Sequence, residues 1–264
     1  MKTLITILLI AASYKPIVLD KSYQHDKWGI QPTDIIKQFR AYTVSFDSND
    51  DDISTGIPEW VAYQIKPSKK LPAAPKRPSK WIAETYSPTD DSYKNSGMNR
   101  GHLCPGVTSW RLGNNASWNS HSIINATPQL PSFNQGIWRD LEKKCESWAD
   151  ESGKSVWVIT GPVLYNHFSI EWIGDEGEVP VAIPQAFYKI IVREPLEVLA
   201  LLYPHTDYAR KGPYHHSKFI VSVDYIEMLT KLDFFTNLSD EIEKKIESRV
   251  APIVWGASRI RYKK

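Results

Sequence analysis

Five short apolar runs constrain the fold of this chain more than any other feature of its sequence. Each run is five or six residues long and is bounded by polar or turn-forming residues, which is typical of buried β-strands. The runs cover residues 60–65, 156–160, 187–192, 198–202 and 219–223. We therefore expect a β-sheet at the centre of the fold.

Two other segments carry the three- and four-residue apolar spacing of an amphipathic helix. The first covers residues 134–149, where a single stripe contains Asn134, Trp138, Leu141, Cys145 and Trp148. The second begins at Asp240, after Ser239 as its N-cap, and extends to about Val250. Because helices and strands do not alternate regularly, we expect an α+β fold.

The amino terminus has the pattern of a secretory leader. Lys2 precedes an apolar run from Leu4 to Ala12, which ends in small residues. The run is shorter than the roughly 20 apolar residues that span a bilayer. We predict a signal peptide and leader over residues 1–19, a single domain over residues 20–264, a secreted or periplasmic location, and no stable membrane association. A buried first strand is the alternative interpretation.

Composition excludes several classes of protein. Hydrophobic residues make up 42% of the chain and charged residues 23%, which is a globular and not a disordered or fibrous composition. Two cysteines are too few for a disulfide scaffold or a cysteine-rich zinc site. The net charge of +2 produces no strong overall field toward nucleic acid or membrane. Positive charge is concentrated locally in residues 66–80, a proline-rich basic loop without acidic residues.

The segment from residue 97 to residue 142 carries the chemistry. It contains Asn99-Arg100-Gly101-His102, then Asn125-Ala126-Thr127-Pro128-Gln129, then Asn134 and Trp138 four residues apart, and finally Leu141-Glu142. A histidine beside a glycine is by itself more often structural than catalytic. Together, these pieces resemble the DNA/RNA non-specific endonuclease family of the ββα-metal superfamily, whose signature is D-R-G-H, N-x-x-P-Q, N-x-x-x-W and L-E. The resemblance covers about residues 57–235.

The resemblance implies a central antiparallel sheet with flanking helices and a ββα-metal active-site element. That element is expected to run from the His102 strand, through a long loop, to a strand at residues 123–125 and the Asn134 helix. An unperturbed imidazole titrates near pH 6.5, so His102 can take a proton from the attacking water near neutral pH. The amide oxygen of Asn134 is the implied ligand of Mg²⁺, with Mn²⁺ or another divalent cation as a substitute.

Three more residues receive roles from the resemblance. In a regular helix, Glu142 lies about 12 Å along and about 80° around from Asn134, so the two are not expected to share a coordination shell. Glu142 is instead assigned to hydrogen bonding a metal-bound water or orienting its neighbours. Asn125 is expected to face the phosphate or to hold the His102 strand. Arg77 is aligned with an upstream phosphate-binding arginine, with Lys76 or Lys80 as substitutes.

The chain departs from the family pattern at two positions. Asn99 replaces the aspartate of D-R-G-H, and Glu146 occupies the place of a second arginine. Lys143 and Lys144 flank that turn and are expected to point elsewhere. Asn99 keeps the hydrogen-bonding shape of the aspartate and is expected to keep its orienting role, whereas the missing arginine predicts a lower rate.

Other residues that invite a functional role are given structural ones. His205, His215 and His216 are interpreted as members of a surface loop. Cys104 and Cys145 are expected to be buried and reduced. Trp110 and Trp118 are candidates for stacking on bases.

The sequence therefore predicts a secreted Mg²⁺-dependent endonuclease that hydrolyses DNA and RNA with little sequence specificity. By resemblance, its products carry 5′-phosphates. The first alternative is a non-catalytic nucleic-acid-binding protein with an eroded nuclease site. The second is a phosphodiesterase acting on small substrates with the same scaffold. A carbohydrate-binding module, suggested only by the tryptophan content, is a weaker third.

Overall fold

A computed structural model describes residues 19–31, 35–46, 55–73, 75–85, 87–165 and 169–255. The predicted signal peptide, except for its last residue, lies outside the described residues. Within the described ranges, no helix is both long and apolar enough to cross a bilayer.

A seven-stranded antiparallel sheet forms the centre of the molecule, which confirms the predicted α+β class. In spatial order, its strands are β1 (Ile35–Gln38), β2 (Thr43–Phe46), β3 (Pro58–Ile65), β6 (Val156–Val163), β9 (Ala186–Arg193), β10 (Glu197–Pro204) and β11 (Ile220–Val221). Each neighbouring pair is antiparallel. Two further pairs lie outside this sheet, β4 (Asn99–His102) with β5 (Ala126–Gln129) and β7 (Glu171–Ile173) with β8 (Val181–Ile183).

The sheet separates two hydrophobic cores because successive strand residues point to opposite faces. In β6, Val158 belongs to one core, and its neighbours Trp157 and Ile159 belong to the other. The first core also contains Leu141 and Cys145 of the long helix, and we call this side the ββα face. We call the opposite side the far face.

Six α-helices are described, and the longest follows β5. They are α1 (Gly106–Trp110), α2 (Asn114–Asn119), α3 (Pro131–Phe133), α4 (Arg139–Ser152), α5 (Val223–Thr230) and α6 (Asp240–Glu247). A wide π-helical turn, Asn134–Trp138, joins α3 to α4, so the predicted helix exists but begins earlier and is not regular. Trp148 is buried on it, as the stripe predicted.

Four of the five predicted strands are confirmed, and the fifth is confirmed over two residues only. The predicted strand at residues 219–223 contains only Ile220–Val221, because Ser222 caps a helix that the apolar pattern did not reveal. The Ser222 hydroxyl accepts a hydrogen bond from the Tyr225 amide at 3.2 Å. The predicted helix from Asp240 is confirmed but ends at Glu247, before Val250.

The ββα element is formed by β4, β5 and the helix from α3 to α4. β4 pairs antiparallel with β5, with Gly101 opposite Thr127 and His102 opposite Ala126. The predicted strand at residues 123–125 is wrong, because Ile123–Asn125 forms a 3-10 turn and the strand begins only at Ala126. A Cβ atom at position 101 would collide with the Gln129 side chain, so this close pairing requires glycine.

Candidate active site

A cavity of about 480 Å³ opens beside the ββα element, and we call it the cleft. Four of the five predicted site residues line it, namely Arg77, His102, Asn134 and Glu142. The basic loop, the end of β4 and the long helix each contribute to its wall. Residues that are 65 positions apart in the chain therefore meet in one place.

His102 is the last residue of β4, and its imidazole packs against two other rings. The ring centroid of Trp81 lies 4.5 Å away, and that of His121 lies 5.0 Å away in an edge contact. His102 Nε2 is buried and has no hydrogen-bond partner among the described residues. Burial lowers the pKa of His102 to about 3, and repulsion from His121 and Arg77 contributes to the same shift. The imidazole is therefore neutral at pH 7.

His121 is a cleft residue that the sequence analysis missed. Its Nδ1 lies 3.0 Å from the Ser117 carbonyl oxygen, so the tautomer that donates there leaves Nε2 unprotonated. Its ring also packs against Trp81 at 5.3 Å. No spacing rule could have identified it, because the contact with His102 depends on how the α2 region folds back onto β4.

Asn125 does not line the cleft, and its side chain is fully buried. Its Oδ1 accepts a hydrogen bond from the Cys104 amide at 2.9 Å, and its Nδ2 donates to the carbonyl oxygens of Cys104 at 3.0 Å and Ser120 at 2.9 Å. Asn125 therefore fixes the backbone that follows His102. Of its two expected roles, the structure supports strand holding and contradicts a direct phosphate contact.

The wide turn changes the expected relation between Asn134 and Glu142. Eight residues of regular helix turn through about 800°, which leaves the second residue about 80° from the first. One extra residue in a π-turn absorbs about 100° of this rotation, so the two side chains return to within about 20° of the same face. Gly136, at φ −99° and ψ −113°, carries the irregularity. Glu142 accordingly lines the cleft together with Asn134, and the expectation that it is turned away is wrong.

The Glu142 carboxyl has a pKa close to neutral pH. Burial raises the pKa of its carboxyl to about 7, although the positive charge of Lys189 opposes the shift. Lys189 lies in β9, is fully buried, and places its Nζ 3.8 Å from the centroid of the Trp138 ring. The Trp138 indole also lies 3.3 Å from the His102 carbonyl oxygen and donates a hydrogen bond to it. Trp138 and Lys189 thus connect the core to both cleft residues.

The cationic wall of the cleft is formed by three exposed residues, Arg77, Arg139 and Lys143. The expectation for Lys143 is wrong, since it lines the cleft, whereas Lys144 lies 3.6 Å from the Asp140 carboxylate. Arg139 was not predicted as a site residue. It lies three residues before Glu142 and four before Lys143, on the same helical face.

Glu146 also lines the cleft, in the place of the family arginine. Its carboxylate accepts a hydrogen bond from the Thr108 hydroxyl at 3.0 Å, and burial raises its pKa. The position of the family arginine therefore holds a partly satisfied acid, and Arg139 and Lys143 of the cationic wall lie on the earlier turns of the helix.

A second depression adjoins the cleft on the other side of His102. Arg77, His102, His121 and Asn134 line both, and Asn99 and Lys80 line only the second. Asn99 therefore stays close to the site. Asp90 lies in the same depression, with its Oδ1 2.7 Å from Arg100 Nε. The carboxylate beside the motif arginine thus comes from a preceding loop.

The prediction of a surface histidine loop is wrong for two of its three members. His205 Nε2 accepts a hydrogen bond from the Leu130 amide at 2.8 Å. His216 is buried between the Tyr203 hydroxyl and the Asp140 carboxylate, each at 2.8 Å. Both histidines hold the β10 end of the sheet against the long helix. His215 is exposed as expected.

The aromatic and thiol predictions concern residues near the same site. Trp110 lines the cleft, and its indole donates to the Ala73 carbonyl oxygen at 2.9 Å. Cys104 and Cys145 are both free and buried, as expected. Burial raises the pKa of both thiols, that of Cys145 to about 12, so neither is a nucleophile at neutral pH.

Comparisons with known proteins agree with this geometry. The nuclease of Serratia marcescens is 31% identical over 79% of this chain and 78% of its own length, and the nuclease of Nostoc sp. is 27% identical over 84% and 80%. The chain spans 57% and 54% of the mouse and human mitochondrial nucleases EXOG, which it also matches. A chain in the crystal structure of the EndoG/EndoGI complex has the same fold, with a TM-score of 0.64, 22% identity, and coverage of 81% of this chain and 91% of that one. The sequence profile of the DNA/RNA non-specific endonucleases matches residues 28–241, and the chain belongs to this family.

Proposed function

We propose that this protein is a secreted, Mg²⁺-dependent endonuclease that hydrolyses DNA and RNA with little sequence specificity and leaves 5′-phosphates. The observation that carries the proposal is the unpartnered Nε2 of a neutral His102 in a cleft that also presents Asn134, Glu142 and three cationic side chains. Export is inferred from the leader pattern at residues 1–19, and the 5′-phosphate products are inferred from family membership.

The cleft wall is suited to the phosphate backbone of a nucleic acid. Arg77, Arg139 and Lys143 are exposed cations, and such residues bind phosphates of any sequence. Phosphate contacts position a nucleic acid but do not distinguish its bases. This distribution of charge supports cleavage of both DNA and RNA with little sequence preference.

The oxygen atoms of the cleft fit a divalent cation. Asn134 offers an amide oxygen and Glu142 a carboxylate, and both line the same cavity as His102. Mg²⁺ prefers oxygen ligands and keeps several waters, so one or two protein groups are enough to hold it. When bound, the cation would supply positive charge to the reacting phosphate.

His102 is the group that accepts the proton of the attacking water. Its Nε2 has no competing hydrogen-bond partner among the described residues, and in the neutral tautomer with the proton on Nδ1 it presents a lone pair to the cleft. The Trp138 indole holds the backbone at the His102 carbonyl and Asn125 holds it at Cys104, so both are positioning residues. Glu142, with a pKa near 7, can accept or share a proton beside the same phosphate.

Incubation of supercoiled plasmid and of ribosomal RNA with the mature protein tests the proposal. We expect both substrates to be degraded with Mg²⁺ and to survive with EDTA. Fragment ends should resist labelling by polynucleotide kinase until phosphatase has removed their 5′-phosphates. Ends that map to one short sequence would contradict the low specificity.

A non-catalytic nucleic-acid-binding protein is the second candidate, because Glu146 places a carboxylate where the family has an arginine. Retardation of the plasmid without any cleavage, under Mg²⁺ and Mn²⁺ alike, would favour this candidate over the nuclease.

A further inference from the structure

A cluster of acidic side chains lies on the far face, away from the cleft. α5, the segment that follows it and α6 meet there and bring together Asp224, Glu227, Asp233, Glu243 and Glu247. α5 packs on the core of this face through Val223 and Ile226. The cluster is therefore separated from the cleft by the whole thickness of the sheet.

The carboxylate oxygens of this cluster are as close together as the ligands of one cation. Those of Asp224, Glu227 and Glu247 all lie within 4.8 Å of one another, and so do those of Asp233, Glu243 and Glu247. Two oxygens that bind the same Ca²⁺ at about 2.3–2.6 Å cannot be farther apart than about 5 Å. Glu247 belongs to both groups, so it is the centre of the cluster.

Glu247 provides a second and independent observation. The residue is only 7% exposed, and its Oε1 has no hydrogen-bond partner among the described residues. Burial, with repulsion from Glu227, raises the pKa of its carboxyl to about 8. A buried polar atom without a partner is rare in folded proteins, and a bound ion is one of its ordinary explanations.

We propose that Glu247 is the central ligand of a Ca²⁺ site formed with the neighbouring carboxylates of α5 and α6. An all-oxygen set without histidine or cysteine selects a hard cation. Ca²⁺ accepts six to eight oxygens in flexible geometry, whereas Mg²⁺ requires a near-ideal octahedron and keeps its waters. Each of the two groups of three carboxylates that share Glu247 can supply up to six oxygens, which matches the first requirement.

The proposed site connects three segments that are distant in sequence, namely α5, α6 and the amino-terminal segment at residues 29–31. The Glu227 carboxylate accepts a hydrogen bond from the Phe234 amide at 2.9 Å. The Asp233 carbonyl oxygen accepts one from the Gln31 amide at 2.8 Å, and the Phe235 amide donates to the Gly29 carbonyl oxygen at 2.9 Å. A cation bound at Glu247 would hold α5 to α6 and, through residues 233–235, both helices to the amino-terminal segment. Its effect is on stability and not on cleavage.

Thermal melting of the full-length mature protein in EDTA, and then in increasing Ca²⁺, tests the site. Saturating Ca²⁺ should raise the Tm by about 5 °C or more, because a ligand that binds only the folded state stabilises it. Glu247→Gln should abolish the rise, and it should also melt higher than the wild type in EDTA, since it removes the cost of burying an ionisable carboxyl among other acids. Glu241→Gln is the matched control on an exposed position of the same helix and should keep the full response.

Two further variants make the test specific. Asn134→Ala removes a cleft oxygen and should leave the Ca²⁺-dependent rise in place. Asp224→Asn and Glu243→Gln show which of the two groups of carboxylates completes the site, because only the variant within it should weaken the response. An unchanged wild-type Tm in 10 mM Ca²⁺, or a full rise in Glu247→Gln, would overturn the proposal.

Discussion

The two faces of the central sheet each hold a buried polar atom without a partner among the described residues, but their surroundings differ. On the ββα face, the atom is His102 Nε2, beside Arg77 and a cavity. On the far face, it is Glu247 Oε1, among four other carboxylates. The pKa of His102 is lowered in the first setting, and the pKa of Glu247 is raised in the second. The charge around each atom therefore indicates the ligand, which is a nucleic acid on one face and a cation alone on the other.

The largest expected effect is a difference in cleavage rate between variants of the two faces. His102→Ala should lower the cleavage rate about a hundredfold or more, the usual contribution of a positioned acid–base group. Glu247→Gln should cleave within about twofold of the wild type. The measurement is plasmid cleavage at saturating Mg²⁺, with circular dichroism to show that each variant folds.

His215→Ala is the matched control for His102, because it removes an exposed imidazole that does not line the cleft. Cleavage by His102→Ala within a few-fold of the wild-type rate would show that the unpartnered atom on the ββα face is not the base.

The next effect concerns the cation requirement of the cleft. Asn134→Ala should raise the Mg²⁺ concentration for half-maximal cleavage by about tenfold, because the loss of one group at a metal site commonly has this effect. The comparison is a Mg²⁺ titration of the wild type and the variant. An identical titration curve would exclude Asn134 as a ligand and leave Glu142 as the oxygen donor of the cleft.

A smaller effect tests the cationic wall. Arg139→Gln and Lys143→Gln should each weaken duplex binding a few-fold and reduce the slope of log K against log salt by about 0.9. Binding is measured in the His102→Ala background, which prevents cleavage. Lys144→Gln is the control, because Lys144 pairs with Asp140. A slope that changes equally in all three variants would mean that only net charge matters.

The smallest effect is that His102 and Glu247 make stability depend on pH in opposite directions. Stability is measured as the Tm without divalent cations. The folded-state pKa of His102 is about 3, below its usual 6.5, so the unfolded chain binds the proton first and stability falls as the pH falls below 6.5. The folded-state pKa of Glu247 is about 8, above its usual 4.5, so the folded chain keeps the proton longer and stability falls as the pH rises from 4.5 to 8.

His102→Ala should therefore reduce the Tm loss between pH 6.5 and pH 4, and Glu247→Gln should reduce the loss between pH 4.5 and pH 8, each by a few degrees. If both variants changed the Tm over the same pH range, the two faces would not be independent.

The sequence predicted those features that are local in the chain. β3, β6, β9 and β10 follow from apolar runs, and the motif places His102 on a strand and Asn134 near a helix start. The strand predicted at Ile123–Asn125 failed because the Asn125 side chain supplies backbone hydrogen bonds that a strand partner would otherwise make. Hydrogen bonds of this kind leave no apolar pattern.

The missed features depend on contacts between distant segments. His121 reaches His102 only through the fold of the α2 region, and the direction of Lys143 depends on one irregular turn. The acidic cluster was missed because its residues are spread over α5, α6 and the segment between them. In sequence they resemble ordinary solvated acids.

The wide turn at Asn134–Trp138 sets the rotation of every later residue of the helix. If the same residues formed a regular helix instead, every later side chain would rotate by about 100°. Glu142 would then leave the cleft, and Leu141 and Cys145 would leave the core, although no substitution had touched them. A change of one exposed side chain between Asn134 and Glu142 is a local event, whereas a change that straightens the turn at constant length alters both the cleft and the core at once.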